Sequence, residues 1–250
     1  MSQEYTIAED FTLPSEGKIY SKSVNPNFKI RSMTVEEEMK RLSHSDLPYK
    51  NMCEILDDCM IQSPGISTYD MCIGDYQFVL HKARIVTYGT EYETTSVCPV
   101  CGAVEKDVFN LDDLTVKTYT EDVLKDLSFE LPRTKKLCTI TFMTPRILDN
   151  IVARQKEAKK KNPSVKDLSM IYTLEALIKT IDGEELLPFN KETFVRKLNM
   201  MDANAILQHS DKFNEGIGLD TTVFYTCGQC GSGYPSTFRI TSEFFRPTIY

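Results

Sequence analysis

Two stretches of the chain repeat the same order of polar and apolar positions. Phe11-Thr12-Leu13-Pro14 is followed by Lys18 and then by the alternating run Phe28-Lys29-Ile30-Arg31. Phe129-Glu130-Leu131-Pro132 is followed by Lys136 and then by Cys138-Thr139-Ile140-Thr141-Phe142. Alternation of this kind predicts a half-buried strand in each stretch. Both strands run into Met-Thr, at Met33-Thr34 and Met143-Thr144, and helical spacing follows each time. Thr34 with Glu37 has the form of a capping box, ahead of Val35, Met39 and Leu42 on one face. Thr144 is the corresponding N-cap; Pro145 follows at the first helical position, where its missing N–H costs nothing. Leu148, Ile151 and Val152 make the apolar side of that helix.

Further helices are expected in each stretch. One near residues 49–61 carries the stripe Met52, Ile55, Leu56, Cys59 and Met60. Another, near 68–88, turns Tyr76, Val79, Leu80 and Ala83 inward and ends at Gly89 as C-cap. The second stretch has a helix near 165–181 with Leu168, Ile171, Leu174 and Ile178. Its last helix, near 190–208, carries Phe194, Leu198, Met201, Ala205 and Gln208 on one side. The expected fold class is α+β, in two related halves with strands followed by about three helices each. The halves are residues 10–115 and 116–236. A polar arm, 1–9, is expected to be extended or disordered until something binds it, and a strand with an aromatic tail occupies 237–250.

Composition narrows the class. With 41% hydrophobic and 26% charged residues the chain reads as globular. No apolar run approaches the length of about 18 residues that a membrane helix needs, so no membrane partner is expected. Met1-Ser2-Gln3-Glu4 has neither a basic nor an apolar leader, which points to a cytoplasmic folding compartment. There the eight cysteines would stay reduced rather than form a disulfide framework. A net charge of −7 argues against a surface built as a whole for nucleic acid.

The cysteines sort into two kinds. Cys98-Pro99-Val100-Cys101-Gly102 and Cys227-Gly228-Gln229-Cys230-Gly231 are both C-x-x-C followed by glycine, the spacing of a tight turn that aims two sulfurs at one ion. The glycine can adopt the positive φ such a turn requires. Together Cys98, Cys101, Cys227 and Cys230 would supply four thiolates to one structural zinc ion in a zinc ribbon-like site. The competing reading is a redox dithiol, which should open a helix after a strand. Here Pro99, Thr94-Thr95-Ser96 and Gly231-Ser232-Gly233 read as loops. With one knuckle in each half, the zinc would clasp the halves together. Cys53, Cys59, Cys72 and Cys138 lack ligand spacing, and Cys59 and Cys138 read as small buried residues. His44, His81 and His209 are scattered, none placed as a ligand.

Other chemistry is sparse. The sequence has no P-loop, dinucleotide fingerprint, G-x-S-x-G or H-E-x-x-H. Asp57-Asp58, Asp112-Asp113 and Glu184-Glu185 read as solvated acids rather than catalytic pairs. The basic run Arg154, Lys156, Lys159, Lys160 and Lys161 fits a helix C-terminus, where cations suit the dipole; docking to an acidic partner is the alternative. The end of the chain, Phe244-Phe245-Arg246-Pro247-Thr248-Ile249-Tyr250, is either a tail packed on its own domain or an aromatic docking tail for another subunit.

The run from Phe11-Thr12-Leu13-Pro14-Ser15-Glu16-Gly17-Lys18-Ile19-Tyr20 to Ile30-Arg31-Ser32-Met33-Thr34-Val35-Glu36-Glu37-Glu38 is distinctive. Together with Ala83-Arg84-Ile85-Val86-Thr87-Tyr88-Gly89 and the Cys98 knuckle, it resembles the baseplate hub proteins of T-even-type contractile-tailed bacteriophages. The resemblance covers most of the chain and is more specific in the first half. It implies a structural or assembly protein of a tail baseplate hub that binds other phage tail or baseplate proteins. Such a protein works in the virion, or in the host cytoplasm during assembly, and a symmetric baseplate allows several copies. No catalytic residue comes with the resemblance, and only the knuckle cysteines carry over. Two rivals remain at this stage. One is a zinc-ribbon adaptor for nucleic acid or a polymerase, although Lys106 is the one basic residue in 92–108 and 222–236. The other is a zinc hydrolase or deaminase, which would need an open metal position and a nearby acid.

Overall fold

The computed structural model describes residues 7–237, 240 and 242–245, and strands and helices mix along all of it, as the α+β expectation requires. β1 (Ala8–Thr12) and β2 (Asn27–Arg31) pair antiparallel with Phe11 opposite Phe28, and β3 (Met60–Gln62) adds to the other side of β2. Between β2 and β3 come α1 (Val35–Leu42) and α2 (Pro48–Cys59); α3 (Ile73–Tyr88) follows. A hairpin of β4 (Glu91–Val97) and β5 (Val104–Asn110) closes this part, and the short β6 (Val116–Lys117) leads out of it.

The order then recurs. β7 (Ser128–Glu130) and β8 (Leu137–Ile140) pair with Phe129 opposite Cys138, and β9 (Ile178–Ile181) adds to β8, with β10 (Glu184–Glu185) beyond. α4 (Pro145–Lys161) and α5 (Ser169–Leu177) lie between β8 and β9. α6 (Pro188–Lys197) and α7 (Met200–Gly216) follow, then β11 (Gly218–Leu219), which pairs back with β6, and the hairpin of β12 (Thr222–Thr226) and β13 (Gly233–Thr237). The two sheets share details. The register shifts immediately before Ile30 in β2 and before Ile140 in β8. α1 packs on α2 as α4 packs on α5. Leu13 and Leu131, from the two F-x-L-P runs, are both buried. Asp75, three residues past the N-cap Cys72 of α3, accepts the Ser15 N–H at 2.9 Å; Asp202, three residues past the N-cap Asn199 of α7, accepts the Arg133 N–H at 2.7 Å.

Local signals place several helix ends. Thr34 and Glu37 form the capping box of α1, Thr144 caps α4 ahead of Pro145, and Gly89 ends α3 at φ 83°. Four expectations are corrected. The helix near 165–181 stops at Leu177, because Ile178, Thr180 and Ile181 find strand partners on β8 instead. The helix near 190–208 is two: Asn199 caps a fresh start, accepting the Asp202 N–H, so the face counted through the break is wrong and Met201 and Gln208 point outward. The helix near 68–88 begins at Ile73, after a single 3-10 turn over Thr68–Asp70. Thr94-Thr95-Ser96 is strand β4, not loop. The face of α1 that carries Val35, Met39 and Leu42 exists as read but is turned to solvent.

Each part has a core. Phe28, Ile30, Ile55, Leu56 and Val79 belong to the first; Leu131, Cys138, Ile140, Leu174 and Ile178 belong to the second. Cys53, Cys59, Cys72 and Cys138 are all buried, and burial pushes each thiol up, to about 12 for Cys59 and Cys138. Phe244 and Phe245 pack in the first core, where the buried Arg84 donates to the Phe244 carbonyl at 3.1 Å. The rest of the tail reading, with Phe238, Arg239, Thr241 and residues 246–250, lies outside the described residues, as do residues 1–6 of the polar arm.

Two of the places where the two parts meet lie at helix starts. α2 opens behind Leu47, which has no side-chain cap to offer; the buried Asp149 of α4 accepts the amides of Tyr49 (3.3 Å) and Lys50 (2.8 Å) and the Tyr69 hydroxyl (3.1 Å). At the second, Gly74 on α3 lies so close to the chain before β11 that a Cβ would sit 2.2 Å from the Ile217 carbonyl oxygen.

Candidate metal centre

The two knuckles are built alike. In the first, the Gly102 N–H donates to Cys98 O at 2.9 Å and the Cys98 N–H to Ala103 O at 2.8 Å. In the second, the Gly231 N–H donates to Cys227 O at 2.9 Å and the Cys227 N–H to Ser232 O at 3.0 Å. Gly102 and Gly231 take φ of 73° and 71°, the left-handed region where a side chain would be strained. The turn therefore needs the glycine that the sequence places after each second cysteine.

The fold brings the knuckles face to face. The ladder alternates along β4, so Thr94, Ser96 and Cys98 face inward while Thr95 and Val97 face out. The Thr94 hydroxyl hydrogen-bonds the Tyr225 hydroxyl at 2.7 Å, and Ser96 the Tyr234 hydroxyl at 2.8 Å. Tyr225 and Tyr234 stack at 5.9 Å. Glu105 reaches across from β5: its carboxylate accepts the Gly228 N–H at 3.0 Å and lies 3.3 Å from the Cys227 sulfur. These bonds fix the hairpins before any ion is considered. The knuckle spacing did not reveal them, although the alternation of 94, 96 and 98 is a signal for them.

Cys98 lies 3.7 Å from Cys230, and Cys101 3.6 Å from Cys227, sulfur to sulfur; all four ligand atoms fall within 4.8 Å of one another. Zinc–sulfur bonds of about 2.3 Å in a tetrahedron place sulfurs about 3.8 Å apart. The donor set can thus hold a metal ion with all four positions filled by sulfur. Hydrogen bonds from the Ser232 hydroxyl and amide hold the Cys230 thiol down at about 6. Cys227 receives the Cys230 amide, but burial and the neighbouring thiols push it up to about 12. Cys98 and Cys227 are buried, while Cys101 and Cys230 form the outer side of the cluster.

The other singled-out residues lie elsewhere. His81 is buried against the Leu111 carbonyl at 3.0 Å, and His209 pairs with Asp126 at 2.8 Å while stacking on Phe129. In the basic run, Arg154 pairs with Glu175 and lies over the Tyr172 ring, Lys156 pairs with Asp46 and Lys161 with Glu157. Asp57 accepts from Ser67 and Thr68, and Asp112 pairs with Lys82. Among the described residues no helix is long and apolar enough to cross a membrane.

Comparison with curated proteins and with solved structures gives no match. The family model described as T4 bacteriophage base plate protein matches residues 5–246, nearly the whole chain. The match takes in the three-stranded and four-stranded sheets and both knuckles, and the chain belongs to the T4 bacteriophage base plate protein family.

Proposed function

We propose that this chain is a component of the baseplate hub or of its assembly, made of two related halves that one structural zinc ion clasps together. Family membership already gives it a structural or assembly role in a phage tail baseplate, among other baseplate proteins. The finer reading adds the hub, the zinc and the clasp. It works through protein–protein contacts and assigns no catalytic residue, in the virion tail or during assembly in the host.

The observation that carries the proposal is the sulfur geometry. Cys98 and Cys101 come from one hairpin, Cys227 and Cys230 from another more than a hundred residues later, and their spacing suits a tetrahedral ion. A closed four-sulfur site leaves no position for an activated water, so a hydrolytic role draws no support from it. The recurring strand order, the shared register shifts and the Asp75 and Asp202 contacts support residues 10–115 and 116–236 as related halves. The ribbon's outer faces carry exposed Val97, Val104 and Phe224, and Lys106 stands 4.0 Å from Glu93. That surface suits a protein partner better than nucleic acid, which a basic groove would attract.

The test is the metal content of the purified full chain and of Cys98→Ser and Cys227→Ser. One zinc per chain, lost in either variant with a large drop in thermal stability, is the expected result. A chain without zinc, or zinc retained when one knuckle is broken, would overturn the clasp.

A further inference from the structure

A groove of about 410 Å³ opens where the two cores adjoin. Met52 on α2 and Leu80 on α3 line it from the side of the first core. Ile73, at the start of α3, and Leu148 on α4 line it from the side of the second. Among the described residues that line it there is no carboxylate, and Arg41, its one cation, already pairs with Glu38. A charged partner finds no free opposite charge there. The groove suits an apolar or aromatic segment with little charge.

The chain's own last described stretch forms one edge. Ile240 and Phe245 both line the groove. Phe245 is held in place: it is 1% exposed, and the Arg41 guanidinium lies 5.6 Å from its ring centroid. The carbonyl just before it, that of Phe244, accepts from the buried Arg84 at 3.1 Å. Five residues follow, Arg246-Pro247-Thr248-Ile249-Tyr250, which lie outside the described residues. Five extended residues reach about 17 Å, enough to cross a groove of this volume from a start in its wall. Their chemistry matches the lining, since Pro247, Ile249 and Tyr250 are apolar or aromatic and Arg246 is the only charge. A tether this short gives an effective concentration on the order of millimolar, which an untethered peptide of equal affinity does not match at micromolar levels. Pro247 also narrows the conformational freedom lost on docking.

We propose that residues 246–250 dock in this groove of their own chain, with Ile249 and Tyr250 against Leu80 and Leu148. They then strap α4, from the second part of the molecule, to α2 and α3 of the first. The strap covers a contact already described. Tyr49, whose amide Asp149 accepts, lines the same groove, and Leu148 is the chain neighbour of Asp149. Filling the groove keeps water from the start of α2. The family match ends at residue 246, so family membership carries none of this, and the inference does not depend on a metal at the knuckles.

The first experiment uses the full chain with the photocrosslinker p-benzoylphenylalanine in place of Tyr250. Irradiation should join it, within one chain, to groove residues such as Leu80 or Leu148, identified by peptide mass spectrometry. Adducts only elsewhere on the chain, or only between two chains, would overturn the proposal. The second compares hydrogen exchange at the amides of residues 49–52 in the full chain, in a chain ending at Phe245, and in the double variant Ile249→Ser/Tyr250→Ser. Both altered chains should exchange there about tenfold faster or more, and take up more hydrophobic dye, with unchanged helix content by circular dichroism. Should the shortened chain fail to fold, the double variant carries the comparison. Equal exchange and equal dye uptake in the altered and full chains would mean that nothing beyond Phe245 occupies the groove, and the strap would fall.

Discussion

Replacing Asp149 by alanine tests how the two parts of the molecule are held together. The carboxylate is buried and accepts the Lys50 amide at 2.8 Å, the Tyr69 hydroxyl at 3.1 Å and, more weakly, the Tyr49 amide at 3.3 Å. It also supplies an anion at the N-terminus of α2, whose own N-cap position holds Leu47. Hydrogen bonds to a charged acceptor are worth about 1.5–3 kcal/mol each, and the longest of the three counts for little. Water can rehydrate part of the first turn of α2 once the carboxylate is gone. The expected loss is therefore about 3–5 kcal/mol for Asp149→Ala. Asp149→Asn keeps one acceptor but turns an N–H donor toward donors, so it should lose about 2–3 kcal/mol. Urea unfolding followed by circular dichroism, with metal content held equal, measures both; tryptophan fluorescence is not an option because the chain has no Trp. Asp46→Ala is the control. It breaks the Lys156–Asp46 pair at the same junction, but both partners are exposed and no measurable change is expected. An Asp149→Ala chain within about 0.5 kcal/mol of wild type would refute the view that this carboxylate caps α2 across the junction.

Two other perturbations follow from the same contacts. Burial pushes the Glu37 carboxyl up, but hydrogen bonds from Arg31 and from Thr34 outweigh it and hold the group down at about 2 against an ordinary 4.5. A depressed folded value means stability present above pH 4.5 and lost as the pH falls toward about 2, and Glu37→Gln should flatten acid unfolding in that window. An unchanged acid profile in Glu37→Gln would show that the Arg31–Glu37 pair contributes nothing net. Arg84 donates to the carbonyls of Phe244, Gly89 and Glu91, and burial lowers its affinity for a proton. Arg84→Met keeps most of the volume and removes the donors, so thermal unfolding should report a loss of about 3 kcal/mol or more, with Arg84→Lys rescuing only part. Equal stability in Arg84→Met would mean that these carbonyls find water instead.

Much of the architecture is written in short-range chemistry, and the sequence by itself determined those parts. A C-x-x-C turn needs glycine after its second cysteine, and both knuckles have it at φ near 70°. Thr34 with Glu37, and Thr144 with Pro145, satisfy their helix starts from within a few residues, so the starts of α1 and α4 follow from the residues alone. That the four knuckle cysteines come together also followed from spacing, because a tetrahedral ion would ask for two such turns. Tertiary structure decided the rest. Ile178 to Ile181 continue an apolar helical pattern and yet form β9, because the open side of β8 offers their amides partners that a helix end would not. Asn199 restarts the helix after Lys197, which rotates Met201 to the surface. The amides of α2 are capped by Asp149, about a hundred residues away, and no window around Pro48 contains that acceptor. The apolar face of α1 could be read from its period of spacing, but not whether anything lies against it. Hydrogen-bond geometry within a turn is set by neighbours in the chain, whereas burial depends on what the completed fold brings opposite.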